Sequence, residues 1–190
     1  MKLPNSMQPT IIDWRQRLLR LVNQRAIVRK KVTLASGQVS DYYIDGRSLF
    51  LHGESAVLIG EALFQQTHDL KPQTIGGPEV GALPLTVAAT MRYYQAGIEM
   101  EGFFVRKEAK THGLQKRIEG RLEPGWRVVV VEDVMTTGGS ATSAIEAVQE
   151  AGGNIVAVVC LVDRLQGAAE RFKKMSLEFR SVFTLNDLTI

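Results

Sequence analysis

The chain has 190 residues, 45% hydrophobic and 23% charged, enough to bury a substantial core and too apolar for a disordered chain. Its formal net charge of +3 suits an anionic small ligand as well as nucleic acid, so charge excludes neither. The single cysteine, Cys160, excludes a disulfide within the chain and favours a reducing compartment. Residues 1–10 carry no apolar signal core, and no run approaches the ~18 apolar residues of a membrane span, so a cytoplasmic protein is expected.

Asp13 is placed to cap a helix that carries Trp14, Leu18 and Leu21 or Val22 on one face. Val32 to Leu34 and Tyr42 to Ile44 read as short strands around the turn-rich Ser36-Gly37-Gln38. This opening segment, mainly 13–50, reads as a small N-terminal hood beside a core of 51–190, the two making one domain. Ser55 to Gln66 follows as a helix, Thr74-Ile75 as a strand, and Gly76-Gly77-Pro78 as a turn into a helix through Leu85 to Tyr94. Phe103 to Val105 reads as a strand. Val128 to Val131 is a β-branched run of the kind buried on both faces of a parallel sheet. A helix from Ser140 to Ala151 stops at Gly152-Gly153, and Ile155 to Val162, with Cys160 as a core residue, is a further buried strand. Strands alternating with helices predict an α/β fold with a mostly parallel central sheet flanked by helices. Ligands in such folds bind beyond the carboxyl ends of the strands.

The most informative stretch runs from Val128 through Glu132, Asp133, Val134, Met135, Thr136, Thr137, Gly138 and Gly139 to Ser140. A hydrophobic strand ends in two carboxylates, a hydroxyl-and-glycine loop follows, and a helix begins. Two glycines let successive N–H groups point inward, the helix start adds its positive dipole end, and three hydroxyls donate further hydrogen bonds. Such a loop wraps a phosphate. The carboxylates would repel a bare phosphate, so they either accept hydrogen bonds from sugar hydroxyls or face a magnesium ion. Both roles point to a ribose phosphate.

This stretch resembles the signature of type I phosphoribosyltransferases. The resemblance implies that Glu132 and Asp133 contact ribose hydroxyls and that Val134 to Ser140 hold the 5-phosphate end of 5-phosphoribosyl 1-diphosphate (PRPP).

Between 106 and 117 stand five Lys or Arg against one acidic residue, Glu108. A cationic loop leaving a sheet strand on the ligand edge can exclude water and neutralise a departing diphosphate. Arg106-Lys107-Glu108-Ala109-Lys110-Thr111-His112-Gly113 resembles the catalytic loop of orotate phosphoribosyltransferases. That resemblance implies diphosphate contacts from Arg106, Lys107, Lys110 and His112, with Lys107 the main stabiliser of the leaving group. It also implies a homodimer in which this loop reaches the partner's site. Magnesium is the implied cofactor, held mainly by the substrate's diphosphate and ribose hydroxyls.

Ser36 to Asp45 resembles the family's base-covering hood, with Tyr43 and Ile44 at the matching positions. Arg164, after the strand Ile155 to Val162, offers a planar guanidinium for a carboxylate, which orotate carries and common nucleobases lack. By the resemblance Arg164 and Thr136 also contact the base, and the reaction is orotidine 5'-phosphate formation in de novo pyrimidine (UMP) biosynthesis. The sequence departs from the family pattern at two places. Ala35 stands where many members have lysine, and Glu79-Val80 stand where many have Tyr-Lys. Backbone amides of Glu79 to Ala82 can still bind diphosphate, and Arg47 is a possible source of the lost charge. Two other readings stay open: transfer to a different base, and a non-catalytic regulator on the same fold that binds nucleic acid.

Overall fold

The computed structural model describes residues 13–33, 39–107 and 117–190. The chain opens with helix α1 (Trp14–Leu21) and one π-helical turn (Val22–Ala26). Asp13 occupies the cap position without a side-chain capping bond, so burial of Leu18, Leu21 and Val22 is what holds this helix down. Four two-residue strands follow: β1 (Ile27–Val28), β2 (Val32–Thr33), β3 (Val39–Ser40) and β4 (Tyr43–Ile44). β2 pairs with β3, while β4 pairs antiparallel with β1, Ile44 opposite Ile27 and Tyr43 opposite Val28. Ile27-Val28, running straight on from the first helical segment, is the strand that sequence patterning misses.

After the short helix α2 (Arg47–Phe50) come α3 (Gly53–Thr67), β5 (Thr74–Pro78), α4 (Ala82–Gln95), β6 (Glu101–Val105), β7 (Ile118–Gly120), β8 (Arg127–Met135), α5 (Gly139–Glu150), β9 (Asn154–Asp163), α6 (Ala168–Lys174) and β10 (Phe179–Thr184). Six of the strands form one sheet in the order β10-β9-β8-β5-β6-β7, parallel throughout except for the antiparallel edge β7. The mostly parallel sheet is therefore as expected.

Two expected boundaries move. Gly76-Gly77-Pro78 is strand rather than turn. A side chain at Gly76 would drive into the Phe103 carbonyl, and one at Gly77 into that of Val131. Both glycines therefore serve close backbone approach within the sheet. Likewise β8 does not stop at Val131 but continues to Met135, so Glu132 and Asp133 lie on the strand itself.

Alternation along β8 divides the core. Val129 and Val131 join Leu58, Leu63 and Leu85 beneath α3 and α4; Val128 and Val130 join Ile145, Val148 and Phe172 beneath α5 and α6. Each such fully buried aliphatic contributes about 1.5–3 kcal/mol. Cys160 is buried in the second cluster, and burial raises its thiol pKa well above the ordinary range. No helix among the described residues is long and apolar enough to cross a membrane.

Candidate active site

The same alternation sorts the two acidic residues to opposite faces. Glu132 turns toward the start of α5, where Ser140 and the Ala141 N–H favour its ionised form. Asp133 turns toward α4 and the hood. A Cβ added at Gly81 would lie 2.6 Å from its Oδ1, and one added at Gly46 would collide with its Oδ2. Neither Gly46 nor Gly81 carries any sequence signal of this role; glycine is needed because a carboxylate fills the space of its side chain.

Burial and the neighbouring Asp133 raise the Glu132 pKa from 4.5 to about 7. The Asp133 pKa is also raised, first by burial, with Asp45 adding to the shift and Arg47 opposing it. Both carboxyls thus lack the solvation of free carboxylates. A ligand that donates hydrogen bonds restores what water would supply.

Beyond β8 the chain makes its turn at Gly138, which caps α5 with φ of 77°. Two constraints exclude other residues there: the left-handed conformation, and Phe172, whose Cζ would lie 2.8 Å from an added Cβ. The Gly138 carbonyl accepts from both the Thr142 N–H (2.9 Å) and the Thr142 hydroxyl (2.8 Å). The turn is therefore fixed by its own chain and by one packed aromatic. Thr137, Gly139 and Ser140 are exposed at the mouth, where the first helical turn presents N–H groups with no intrahelical acceptor. Val134 and Met135 send their side chains into the two core clusters, which leaves only their backbone for a ligand.

Arg106 and Lys107 leave the end of β6 on the same sheet edge. The Arg106 N–H donates to the Arg117 carbonyl (2.8 Å), closing the base of the loop, and the Lys107 N–H donates to Glu79 Oε1 (3.0 Å). Glu79 thus uses its carboxylate to hold the start of the basic segment, while Val80 is exposed beside it. Lys110 and His112, like Ala35, lie outside the described residues.

A groove of about 960 Å³ opens next to these residues, lined at one end by Tyr43, Asp45, Arg47, Lys107 and Asp133. Arg47 is held by Asp45 (Nε–Oδ1 2.8 Å), so its charge reaches this end of the groove partly neutralised. Tyr43 faces the groove, whereas Ile44, the other hood candidate, is buried among the core residues of the first cluster.

On the other side of β8, Arg164 follows β9 and is only 4% exposed. Its backbone N–H donates to the Met135 carbonyl (2.9 Å), tying it to the residue before Thr136. Its guanidinium lies over the Tyr42 ring, 4.9 Å from the centroid, and its Nε is buried with no hydrogen-bond partner among the described residues. A buried donor left unpaired is costly, so an acceptor such as a carboxylate suits this position.

Paired carboxylates, a phosphate-wrapping turn and a cationic loop stem on one edge of a parallel sheet define a class, one that binds a phosphorylated sugar and acts at its far end. The family model described as "Phosphoribosyl transferase domain" matches residues 48–183. The chain belongs to this phosphoribosyl transferase family, and within it to the orotate phosphoribosyltransferases. It is 49% identical over 163 residues to the orotate phosphoribosyltransferase of Streptomyces coelicolor, covering 85% of this chain and 88% of that one. With the enzyme of that name from Mycobacterium avium it shares 44% identity over 173 residues, covering 91% and 95%. The crystal structure of Mycobacterium tuberculosis orotate phosphoribosyltransferase in complex with PRPP superposes with a TM-score of 0.78 at 40% identity, covering 92% of this chain and 98% of that one.

Proposed function

We propose that this chain joins orotate to the ribose-5-phosphate unit of PRPP, giving orotidine 5'-phosphate and diphosphate, as a step of de novo pyrimidine synthesis. The observation that carries the choice of base is Arg164. It is buried, its Nε has no hydrogen-bond partner among the described residues, and its backbone is tied to Met135 beside the phosphate turn, so its guanidinium suits a carboxylate on the base.

The turn from Thr136 to Ser140 holds the 5-phosphate through backbone N–H groups and hydroxyls, with the backbone of Val134 and Met135 leading into it. Glu132 and Asp133 accept from the ribose hydroxyls. This fixes the ring while the bond from C1 to diphosphate oxygen breaks and a bond from the orotate ring nitrogen to C1 forms on the opposite face. The departing oxygen keeps the electron pair. Positive charge on the ribose ring and negative charge on diphosphate grow together, and Lys107 faces the second with Arg106, Lys110, His112 and the amides around Glu79 and Val80. Tyr43, backed by the buried Ile44, forms the hood side of the base pocket and Thr136 its floor. Orotate is an anion through its carboxylate; the proton on its ring nitrogen leaves as the bond to C1 forms, and the departing diphosphate, which keeps the electron pair, accepts it.

Magnesium would enter such a site as a guest of the substrate, held mainly by its diphosphate and ribose hydroxyls. Its charge would offset the negative charge growing on the leaving group, beside Lys107 and Arg106.

A homodimer belongs to the same proposal. The groove continues from Asp133 and Lys107 onto an apolar face of α3 and α4 that leaves Val57, Val87 and Met91 at least half exposed. A second copy would cover that face and bring its 106–117 loop to this edge. The protein is proposed to work in the cytoplasm as one domain of 1–190, the hood mainly 13–50 and the core 51–190.

The test is direct. Purified protein with magnesium, PRPP and orotate should consume orotate absorbance, with adenine, hypoxanthine and uracil failing to compete. Turnover of another base, or none at all, would favour the readings set aside.

A further inference from the structure

Arg164 is held in place only in part by its backbone. The Asp163 carboxylate accepts from the Leu165 N–H (2.8 Å), and Leu165 adopts φ of 56°, so the chain doubles back just after Arg164. With the Arg164 N–H bonded to Met135, these contacts fix the Cα and the direction in which the side chain leaves. They do not fix the plane of the guanidinium. That plane decides whether two N–H groups meet a carboxylate side by side or only one does.

Tyr42 supplies the missing constraint. It stands just before β4, whose pairing with β1 sets its register, and alternation turns it away from Tyr43. Tyr43 therefore faces the groove, while Tyr42 packs against the first core cluster and lies under the Arg164 guanidinium, 4.9 Å from ring centroid to Cζ. A ring on one face of a guanidinium favours the flat stacked orientation and leaves the in-plane N–H edge free.

We propose that Tyr42 is a positioning residue for base selection, orienting Arg164 so that its N–H edge meets the carboxylate of the incoming base. This rests on the reading of Arg164 as the carboxylate partner and adds what makes that partner selective. It also joins the hood to the sheet edge: the hood covers the base with one tyrosine and sets the recognising arginine with the next.

Steady-state kinetics with orotate and PRPP varied separately test this on the full chain, using Tyr42→Leu, Tyr42→Phe, Arg164→Gln and the Tyr42→Leu/Arg164→Gln double variant. Tyr42→Leu should raise the KM for orotate about tenfold while the KM for PRPP stays within about twofold. Tyr42→Phe, which keeps the ring, should lie within about twofold of the parent for both. In the Arg164→Gln background, Tyr42→Leu should add less than about twofold, because a residue acting through another has nothing left to position. KM does not depend on the fraction of molecules folded; should Tyr42→Leu give no soluble protein, Tyr42→Met replaces it. Equal rises in both KM values, full additivity in the double variant, or failure of Tyr42→Phe to restore orotate binding would overturn the role of Tyr42. An unchanged orotate KM in Arg164→Gln would instead overturn the carboxylate reading beneath it.

Discussion

The phosphate turn and the base pocket lie on the same sheet edge but are built in opposite ways. Between Glu132 and Thr142 many constraints are local: the strand delivers the carboxylates and Thr142 holds Gly138, while Phe172 packs on the turn and Gly46 and Gly81 fit around Asp133. The surroundings of Arg164 are assembled from separate elements, with Arg164 from the end of β9, Met135 from β8 and Tyr42 from the hood. On the proposed reading, the group common to every substrate of the class is gripped by one continuous peptide, and the group that distinguishes one base from another is read by residues that meet only after the chain has folded. Substitutions in the two regions should therefore separate cleanly in kinetics.

The largest effect belongs to neither region but to the leaving group between them. Lys107→Ala should lower turnover about 10²–10³-fold, the loss typical of one preorganised donor, with little change in either KM. Near-normal turnover would remove its assigned role. Next comes Arg164→Gln, expected to lower kcat/KM for orotate about 10–100-fold, since a hydrogen bond to a charged group contributes about 1.5–3 kcal/mol. A matching loss in kcat/KM for PRPP would erase the separation. Gly138→Ala should do the reverse, raising the KM for PRPP about tenfold through a left-handed backbone costing about 1–2 kcal/mol and the collision with Phe172. Orotate KM measured at saturating PRPP is the control.

That much of the cradle was legible because strand, loop and helix follow one another in sequence, so local pattern and chemistry coincide. Gly76 to Pro78 misled for an instructive reason. Glycine and proline usually mark turns, yet here the glycines let neighbouring backbone crowd β5, a demand made by Phe103 and Val131. The hood resisted reading because two-residue strands carry too few side chains to show alternation, and β4 pairs with Ile27-Val28. The fit of Gly46 and Gly81 around Asp133, and the meeting of Tyr42 with Arg164, depend wholly on tertiary placement.

The smallest effect sharpens the comparison through pH. Glu132 titrates near 7 in the folded chain against an ordinary 4.5. With the folded value raised, the free protein binds an extra proton between those limits. Its stability therefore declines as pH rises from about 4.5 to about 7 and levels off above. Glu132→Gln should flatten this slope in thermal denaturation. Ribose hydroxyls favour the ionised carboxylate, so PRPP binding near pH 6.5 should release a proton in the parent. Calorimetry in buffers of different ionisation enthalpy checks this, and release that persists in Glu132→Gln would assign the proton elsewhere.

The most direct test of how the two regions cooperate is a crystal structure with orotidine 5'-phosphate, which spans both. The phosphate should lie against the N–H groups of residues 137–140, the ribose hydroxyls against Glu132 and Asp133, and the base carboxylate in the plane of the Arg164 guanidinium above Tyr42. A phosphate bound elsewhere, or a base whose carboxylate points to solvent with Arg164 still unpaired, would contradict it.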